Sequence, residues 1–404
     1  MQEFDRPSAP EPGVSHRRVD TPTAGSIKIK VLRRAGDEIG TPLDVEGHRG
    51  IPSGVPEQPF SVQLGFSGGA NRLEGLDTPH EPVAIENFTE QVSIVGPDAV
   101  MWNGTMIHDI GAVVGKNPDG SYRIASSSGV RFPQRFYHEA NRRGFARHTV
   151  GEVLAEDAAL TAMGVAKDPH QYYTKGAYRR EDFLTVPASL ILMNDKETQG
   201  PKIENNIRER IRNSEVRLPG DVKILSTSTQ GLKNAAINNV LTMINASSAT
   251  VESYDGTTPA DSRQIMSLND GFQTAYSRIE TIHRDLRVPR TPGDVTLSIQ
   301  SCLIPVVLDA ELRFFDAATV LIEKINEDGS PSYYSSVSAG TEFPAEYVRL
   351  AVLEDVTTGK KMKEMLNFDP ADPQKSLYNV SRQVLLEEAV FIASAQMQSG
   401  LEIS

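Results

Sequence analysis

The stretch 259–287 reads PADSRQIMSLNDGFQTAYSRIETIHRDLR, and residues 295–299 soon follow as VTLSI. Large apolar residues recur in the first segment every three or four positions, which predicts a helix with one continuous apolar stripe. That stripe comprises Ile265, Leu268, Phe272, Tyr276, Ile279, Ile282 and Leu286. Pro259 suits a first helical turn, Pro289 ends the helix, and its length would be about 40 Å. The alternation at 295–299 predicts a strand, so the predicted fold class is α+β.

Further strands and a closing helix are predicted after the long helix. Apolar runs at 304–308, 318–325 and 348–353 predict three strands. The sequence Asn-Glu-Asp-Gly at 326–329 predicts a turn at the end of the second of them. Apolar residues recur at helical spacing through 376–398 and predict a C-terminal helix.

The first third of the chain has strand signals that are separated by a long excursion. Residues 26–31 and 60–64 alternate polar and apolar side chains, which predicts two short strands. Residues 36–82 are rich in glycine and proline and predict a long loop or hairpin excursion with little core of its own. Asn-Pro-Asp-Gly at 117–120 is a turn signal between apolar runs, so residues 109–125 are predicted to form a hairpin.

Composition divides the chain into four regions. Residues 1–25 carry four prolines and few large apolar residues, which predicts an extended arm. The regions that follow are β-rich with the long excursion (26–130), mainly helical (131–290), and β-strands with the C-terminal helix (291–404). Before the long helix, helical patterns occupy 133–163, 203–211 and 232–244. No internal repeat is apparent from the sequence.

Charge and cysteine content limit the compartment and the partners. The chain has 404 residues and a formal net charge of -12, which disfavours nucleic-acid binding as the main role because such a surface repels phosphate. Cys302 is the only cysteine, which excludes intrachain disulfides, and its apolar neighbours predict a buried thiol. Residues 1–25 lack a signal-peptide core, and no run reaches membrane-spanning length. We therefore expect a soluble, cytoplasmic protein without a membrane partner.

The segment Gly65-Phe66-Ser67-Gly68-Gly69 matches the G-x-S-x-G form of a nucleophile elbow. An elbow needs a helix directly after its serine, and the glycines that follow Ser67 disfavour one. A flexible glycine loop is therefore the favoured interpretation, and a serine hydrolase that uses Ser67 is an alternative.

Two other motifs are incomplete. His138-Glu139 begins like the H-E-x-x-H zinc motif, but Arg142 takes the place of the second histidine. Residues 111–116 resemble a phosphate-binding loop that is one residue short, and Asn117 replaces the Ser or Thr that would bind magnesium. We therefore predict no catalytic, cofactor-binding or metal-binding residue, and no cofactor.

The arm at 1–25, the excursion at 36–82 and the helix at 259–287 together resemble the set of parts found in tailed-phage coat proteins. The resemblance implies a structural, non-enzymatic virion subunit, similar to a major capsid protein, that assembles in the host cytoplasm. Its partners would be copies of itself and other virion subunits, with no membrane and no sequence-specific nucleic acid. A phage tail, neck or baseplate subunit and a non-catalytic binding or adaptor module are further alternatives.

Overall fold

The computed structural model describes residues 17–56, 59–95, 104–144, 168, 170–171, 174–176, 178–218, 222–246, 248–257 and 264–399. Within these residues, twelve strands form one mostly antiparallel sheet, and eleven helices accompany it. This mixture confirms the predicted α+β class.

The N-terminal half contains six of the strands and five of the helices. Its strands are β1 (Arg17–Thr21), β2 (Leu43–Gly47), β3 (Glu81–Ile94), β4 (Gly104–Lys116), β5 (Tyr122–Ser126) and β6 (Gly129–Phe132). Its helices are α1 (Ser26–Ile39), α2 (Val62–Glu74), α3 (Gln134–Arg143), α4 (Arg180–Leu192) and α5 (Lys196–Arg212).

The C-terminal half contains the other six strands and six helices. Its strands are β7 (Lys223–Ser226), β8 (Thr250–Ser253), β9 (Val295–Leu308), β10 (Glu311–Ile325), β11 (Pro331–Val337) and β12 (Gly340–Phe343). Its helices are α6 (Gly231–Met243), α7 (Leu268–Arg284), α8 (Ala345–Leu353), α9 (Thr358–Leu366), α10 (Pro373–Tyr378) and α11 (Arg382–Gln398).

The two halves repeat the same order of elements: strand, helix, strand, helix, four strands, and then helices. In each half the first strand pairs in parallel with the second and the third, as β1 does with β2 and β3, and β7 with β8 and β9. The third strand then pairs antiparallel with the fourth, β3 with β4 and β9 with β10. The chain is therefore an internal duplication, which corrects the expectation that it has no repeat.

One turn shows the repeat in the sequence itself. Residues 117–121 read NPDGS and residues 326–330 read NEDGS. In each turn the Asn N–H donates to the Ser carbonyl, at 2.7 and 2.8 Å, and the Asp Oδ1 accepts from the Ser N–H, at 2.9 Å in both. Gly120 and Gly329 have φ of 87° and 82°, a conformation that glycine adopts without strain. A second repeat, G-x-x-F-P, follows each turn.

The halves join through a reciprocal exchange of strands. β5 pairs with β12, and β6 pairs with β11. In the repeat, β5 corresponds to β11, and β6 corresponds to β12. Exchanging the two halves therefore turns the β5–β12 pair into the β11–β6 pair, so the two pairs are equivalent. This is the pattern of an isologous dimer interface, here formed inside one chain.

Helices cover both faces of the sheet. On one face α2 and α7 pack against the central strands, with Phe66, Phe88 and Phe272 in the core. On the other face α4 and α11 pack against the sheet, with α1 and α6 beside them. Neighbouring residues of β10, Val320 and Leu321, enter opposite cores, as strand alternation requires. The fold therefore has three layers.

Two short segments that were predicted as strands are helical. Residues 26–31 begin α1, whose buried residues Val31, Leu32, Ala35 and Ile39 show the helical period only beyond the short alternating window. Residues 60–64 lead into α2, which Ser61 caps by accepting a hydrogen bond from the N–H of Leu64 at 3.2 Å. The prediction of a long loop at 36–82 is therefore wrong, because this segment contains β2 and α2.

The glycine segment at 65–69 lies inside α2 and is not a flexible loop. A Cβ atom at Gly65 would overlap the Phe88 ring, and one at Gly69 would lie 2.8 Å from Cγ2 of Val114. These glycines let the helix approach β3 and β4 closely, so their role is packing.

The helix predicted at 259–287 is shorter than expected. α7 begins at Leu268, and Ser267 caps it by accepting from the N–H of Asp270 at 3.0 Å. The carbonyl of Ile265 instead accepts from the N–H of Leu303 at 2.8 Å, so this segment runs beside β9. Most of the predicted stripe is buried, but Leu286 is 48% exposed. Residues 258–263 lie outside the described part of the chain.

Two predictions for the C-terminal region are also wrong. Residues 348–353 form part of α8 instead of a strand, since a short apolar run fits either element. The helix predicted at 376–398 is two helices, because Asn379 adopts a left-handed conformation with φ of 52° and Ser381 caps α11.

Other predictions are confirmed. The hairpin at 109–125 corresponds to β4 and β5, and the strands at 295–299 and 304–308 are one strand, β9. The helices at 203–211 and 232–244 correspond to α5 and α6, and α3 lies within 133–163. Residues 17–21 of the predicted arm form β1, which lies in the sheet between β2 and β3. Residues 1–16 and 145–163 lie outside the described residues.

Candidate functional site

A cleft of about 470 Å³ lies in the C-terminal half, where the parallel strand β7 leads into α6. Ligand sites often lie at the carboxyl end of a parallel strand, next to the start of the following helix. Residues of α6, β9, β10, α9 and α11 line the cleft. Its functional groups therefore come from segments that are far apart in the sequence.

Lys233 places a positive charge in the cleft wall. It is the third residue of α6, and its side chain is almost fully buried. Its Nζ donates to the carbonyl of Ile299, on the neighbouring strand β9, at 2.7 Å. This bond fixes the position of the ammonium group.

Asp316 and Arg382 form an ion pair within the cleft. Nη2 of Arg382 lies 3.2 Å from Oδ2 and 3.3 Å from Oδ1 of Asp316. The side-chain amide of Gln374 also donates to Oδ2. Burial raises the pKa of Asp316, although Arg382, Gln374 and Lys233 each act to lower it.

Asp372 holds the start of α11 in place. Its Oδ1 accepts from the N–H of Arg382 at 2.8 Å, and its Oδ2 accepts from Oγ of Ser381 at 2.6 Å. The same carboxylate caps α10 by accepting from the N–H of Lys375 at 3.2 Å. Because α11 begins at Arg382, these bonds position its guanidinium against Asp316.

The first turns of two helices face the cleft. Gln230 and Gly231 line it at the start of α6, and Thr358 and Gly359 line it at the start of α9. A helix N-terminus carries a partial positive charge and unpaired N–H groups, which favour anions. Thr358 is 2% exposed, and its Oγ1 has no hydrogen-bond partner among the described residues. Since buried hydroxyls normally have a partner, this one has a hydrogen-bonding capacity that the described residues leave unused.

The described lining of the cleft contains more cationic than anionic side chains. Among the described residues that line it, Lys233, Arg278 and Arg382 are cationic, and Asp316 is the one carboxylate. This excess contrasts with the formal net charge of -12 of the whole chain. Charge of one sign that is held in a low-dielectric cleft attracts a ligand of the opposite sign.

The rest of the cleft surface is largely apolar. Ile265, Leu303, Phe343 and Leu386 contribute side chains to it. The cleft therefore fits a ligand with an anionic end and an apolar or planar remainder.

A larger cleft, of about 600 Å³, lies near the turn at 117–121 but is a weaker candidate. Its charged side chains pair with each other. Glu81 binds both Arg17 and Arg123, and Lys116 lies 2.8 Å from Glu74. Such internal pairing leaves less charge for a ligand.

The residues that the sequence motifs singled out do not line the C-terminal cleft. Ser67 lies within α2, where its Oγ accepts from the Gln63 side chain at 2.8 Å, and not at a strand-to-helix turn. Glu139 on α3 pairs with Arg142, and residues 111–116 belong to β4.

Two composition-based expectations can be compared with the described residues. Cys302 is buried, as predicted, and burial raises the pKa of its thiol. In the described part of the chain, no cluster of three His, Cys, Asp or Glu side chains could hold a metal ion. Nor is any helix there long and apolar enough to cross a membrane.

Motif reading missed the cleft residues because no local pattern joins them. The signal that could have found them is the duplication. Residues 168–170 read DPH and residues 372–374 read DPQ, and the Asp of each accepts from the backbone N–H of an arginine that begins a helix, Arg180 or Arg382. Aligning the halves would therefore have marked these positions.

No protein-family model and no curated protein matches the chain. Among solved structures it is similar to protein VC0702 from Vibrio cholerae, with a TM-score of 0.32 and 17% sequence identity. The similarity covers 44% of this chain and 94% of that chain. A TM-score this low supports no conclusion about fold or function.

Proposed function

We propose that the protein binds a small phosphate-bearing molecule in the C-terminal cleft. The observation that carries the proposal is the buried hydroxyl of Thr358, which has no hydrogen-bond partner among the described residues and lies in the same cleft lining as Lys233 and Arg382. The phosphate group would lie between Lys233 and the first turns of α6 and α9. The remainder of the ligand would lie against Phe343 and Leu303.

Phosphate fits this arrangement better than a carboxylate does. A phosphate group carries up to two charges and several acceptor oxygens, whereas a carboxylate has one charge and two oxygens. The cleft offers an ammonium group, guanidinium groups, a hydroxyl and the N–H groups of two helix starts. An anion with several oxygens can accept from more of these donors at once than a carboxylate can.

Calorimetric titration with inorganic pyrophosphate at low salt tests this proposal. Replacement of Lys233 by Met should weaken binding by about tenfold or more, because a charge-assisted hydrogen bond is lost. The matched control is Lys360→Met, which removes an exposed lysine of α9 and should leave binding unchanged. No binding by the parent protein, or equal binding by the Lys233 variant, would contradict the proposal.

Thr358→Val separates ligand binding from folding. The Thr358 hydroxyl has no partner among the described residues, so its replacement by an isosteric methyl group should not lower the melting temperature. Pyrophosphate binding should weaken by about threefold to tenfold, which corresponds to one neutral hydrogen bond. A variant that melts at a lower temperature but binds normally would show that the hydroxyl serves stability.

Assembly into a virion, as a capsid, tail, neck or baseplate subunit, stays a separate proposal. Two of the features that suggested it are built differently, since the excursion contains β2 and α2 and the long helix spans 17 residues. One observation favours a contact surface: Val352 and Leu353 on α8 and Met365 on α9 are more than half exposed. Light scattering that shows a monomer at all concentrations would count against assembly.

A further inference from the structure

We infer that α8 and α9 form a movable cover of the C-terminal cleft, a helical hairpin that a bound anion holds closed. This α8–α9 hairpin comprises residues 345–366, between β12 and the turn that leads to α10. The inference rests on the proposed function for what the cleft binds. It extends that function by assigning the α8–α9 hairpin a role in enclosing the ligand.

The two helices of the α8–α9 hairpin bind each other. Nζ of Lys361, near the start of α9, lies 2.5 Å from Oε2 of Glu354, which follows the last residue of α8. In the connection between the helices, the N–H of Val356 donates to the carbonyl of Ala351 at 3.0 Å. These contacts let the two helices move together as one unit.

A small hydrophobic core attaches the α8–α9 hairpin to the sheet. Val348 of α8 and Met362 of α9 pack with Leu303, Phe314 and Phe343, in a cluster that is separate from the two large cores. Two of these sheet residues, Leu303 and Phe343, also line the cleft. The attachment of the α8–α9 hairpin and the wall of the cleft are therefore the same surface.

Most residues of the α8–α9 hairpin are not buried. Two of the nine residues of α8 and three of the nine of α9 are buried, whereas 14 of the 17 residues of α11 are. Segments that bury little apolar surface open at a lower free energy than well-packed ones. The α8–α9 hairpin should therefore open more readily than the cleft wall that α11 forms.

The start of α9 is the part of the α8–α9 hairpin that reaches the cleft. Thr357, Thr358 and Gly359 line the cleft, whereas α8 contributes no residue to its lining. Thr357 caps α9 through a long hydrogen bond, 3.4 Å from its Oγ1 to the N–H of Lys360. The Thr358 hydroxyl and the first N–H groups of α9 are therefore the donors that the hairpin presents to an anion.

The opposite side of the cleft is fixed to the sheet. Lys233 is held on the carbonyl of Ile299, and Arg382 pairs with Asp316 of β10. A phosphate group between Lys233 and the start of α9 would bridge the sheet and the α8–α9 hairpin. Because an open hairpin would give up its share of these contacts, the ligand favours the closed arrangement.

Gly359 allows the start of α9 to lie close to the far edge of the cleft. A Cβ atom at this position would lie 2.5 Å from the carbonyl oxygen of Pro370, in the turn before α10. Pro370 also lines the cleft. The α8–α9 hairpin is therefore in its closed position in this structure, with α9 directly against that turn.

Amide hydrogen exchange of the parent protein, with and without saturating pyrophosphate, tests the inference. The amides of α8 should exchange about tenfold or more slowly with pyrophosphate, because opening then requires loss of ligand contacts. Since α8 does not line the cleft, direct contact with the ligand does not explain its protection. A change in α8 of less than about twofold, at a concentration that saturates binding in calorimetry, would overturn the inference.

Lys233→Met shows whether protection of α8 requires binding in the cleft. At the same pyrophosphate concentration, α8 of this variant should exchange as it does in the variant without pyrophosphate. Slowing equal to that of the parent would contradict the inference, because it would show a general effect of the anion.

A second experiment loosens the α8–α9 hairpin without changing the cleft lining. Met362 is fully buried and does not line the cleft, so Met362→Ala should speed exchange of α8 and weaken pyrophosphate binding by about threefold or more. The matched control is Met365→Ala, on the same helix, whose side chain is 52% exposed and should have neither effect. Equal binding by the two variants would contradict the inference.

These experiments separate the inference from the proposed function. If calorimetry shows no pyrophosphate binding by the parent, the proposed function fails and the inference fails with it. If the parent binds but α8 does not respond, or Met362→Ala binds like Met365→Ala, the proposed function stands and the inference alone fails. Thermal unfolding without ligand shows whether each variant is folded.

Discussion

Glu90 shows how burial and a helix start act on one carboxyl group. It lies on β3 and accepts a hydrogen bond at 3.0 Å from the N–H of Val62, the first residue of α2. Burial raises the pKa of Glu90 to about 7, although this hydrogen bond acts in the opposite direction. An acid whose pKa is higher in the folded state binds more protons there, so its contribution to stability falls as pH rises. The loss begins near the unfolded pKa of 4.5 and is complete above the folded value of about 7.

Glu90→Gln should therefore stabilise the protein at pH 8. The amide keeps an oxygen that can accept from Val62 and cannot ionise, so the melting temperature at pH 8 should rise by about 2 °C or more. At pH 4.5 the difference from the parent should be much smaller. The exposed Glu327→Gln is the control, and an equal shift at both pH values would contradict the assigned cause.

Sequence reading at the residue scale succeeds where neighbours decide the outcome. Cys302 was predicted to be buried because its neighbours are apolar, and it is. The sequence alone cannot show that the Thr358 hydroxyl lacks a partner among the described residues, because that depends on which segments surround it in three dimensions.

At the scale of elements, α7 tests whether the apolar stripe is a true core. Phe272 is fully buried, and its ring stacks on that of His108 with centroids 4.9 Å apart. Phe272→Ala should lower the free energy of unfolding by about 3 kcal/mol or more, as large-to-small core substitutions do. Chemical denaturation measures this change.

Leu286 provides the matched control for Phe272. It belongs to the same predicted stripe but lies beyond the end of α7 and is 48% exposed. Leu286→Ala should change the free energy of unfolding by about 0.5 kcal/mol or less. Similar losses for both substitutions would mean that the observed end of the helix is wrong.

Element prediction worked where local chemistry is specific. The turns at 117–121 and 326–330 contain Asp-Gly, which fixes a tight turn whatever surrounds it. It failed at residues 26–31 and 348–353, because a six-residue alternation or a short apolar run fits a strand and also part of a helix. The glycines at 65–69 predicted a flexible loop. They lie inside α2 instead, where they allow close contact with β3 and β4.

At the scale of the whole molecule, the duplication organises the candidate site. In the C-terminal half, α6, β10 and α11 bring a lysine, an aspartate and an arginine to one cleft. Residues as distant as Lys233, Asp316 and Arg382 meet only through this topology. No motif within a short window could reveal them, and the sequence predicted the α+β class without predicting its two-fold arrangement.

The most direct test of this account is a crystal structure of the parent protein that is grown with saturating pyrophosphate. We predict pyrophosphate density in the C-terminal cleft, within hydrogen-bonding distance of Lys233 and Thr358. An empty C-terminal cleft at a concentration that saturates binding in solution would contradict the account.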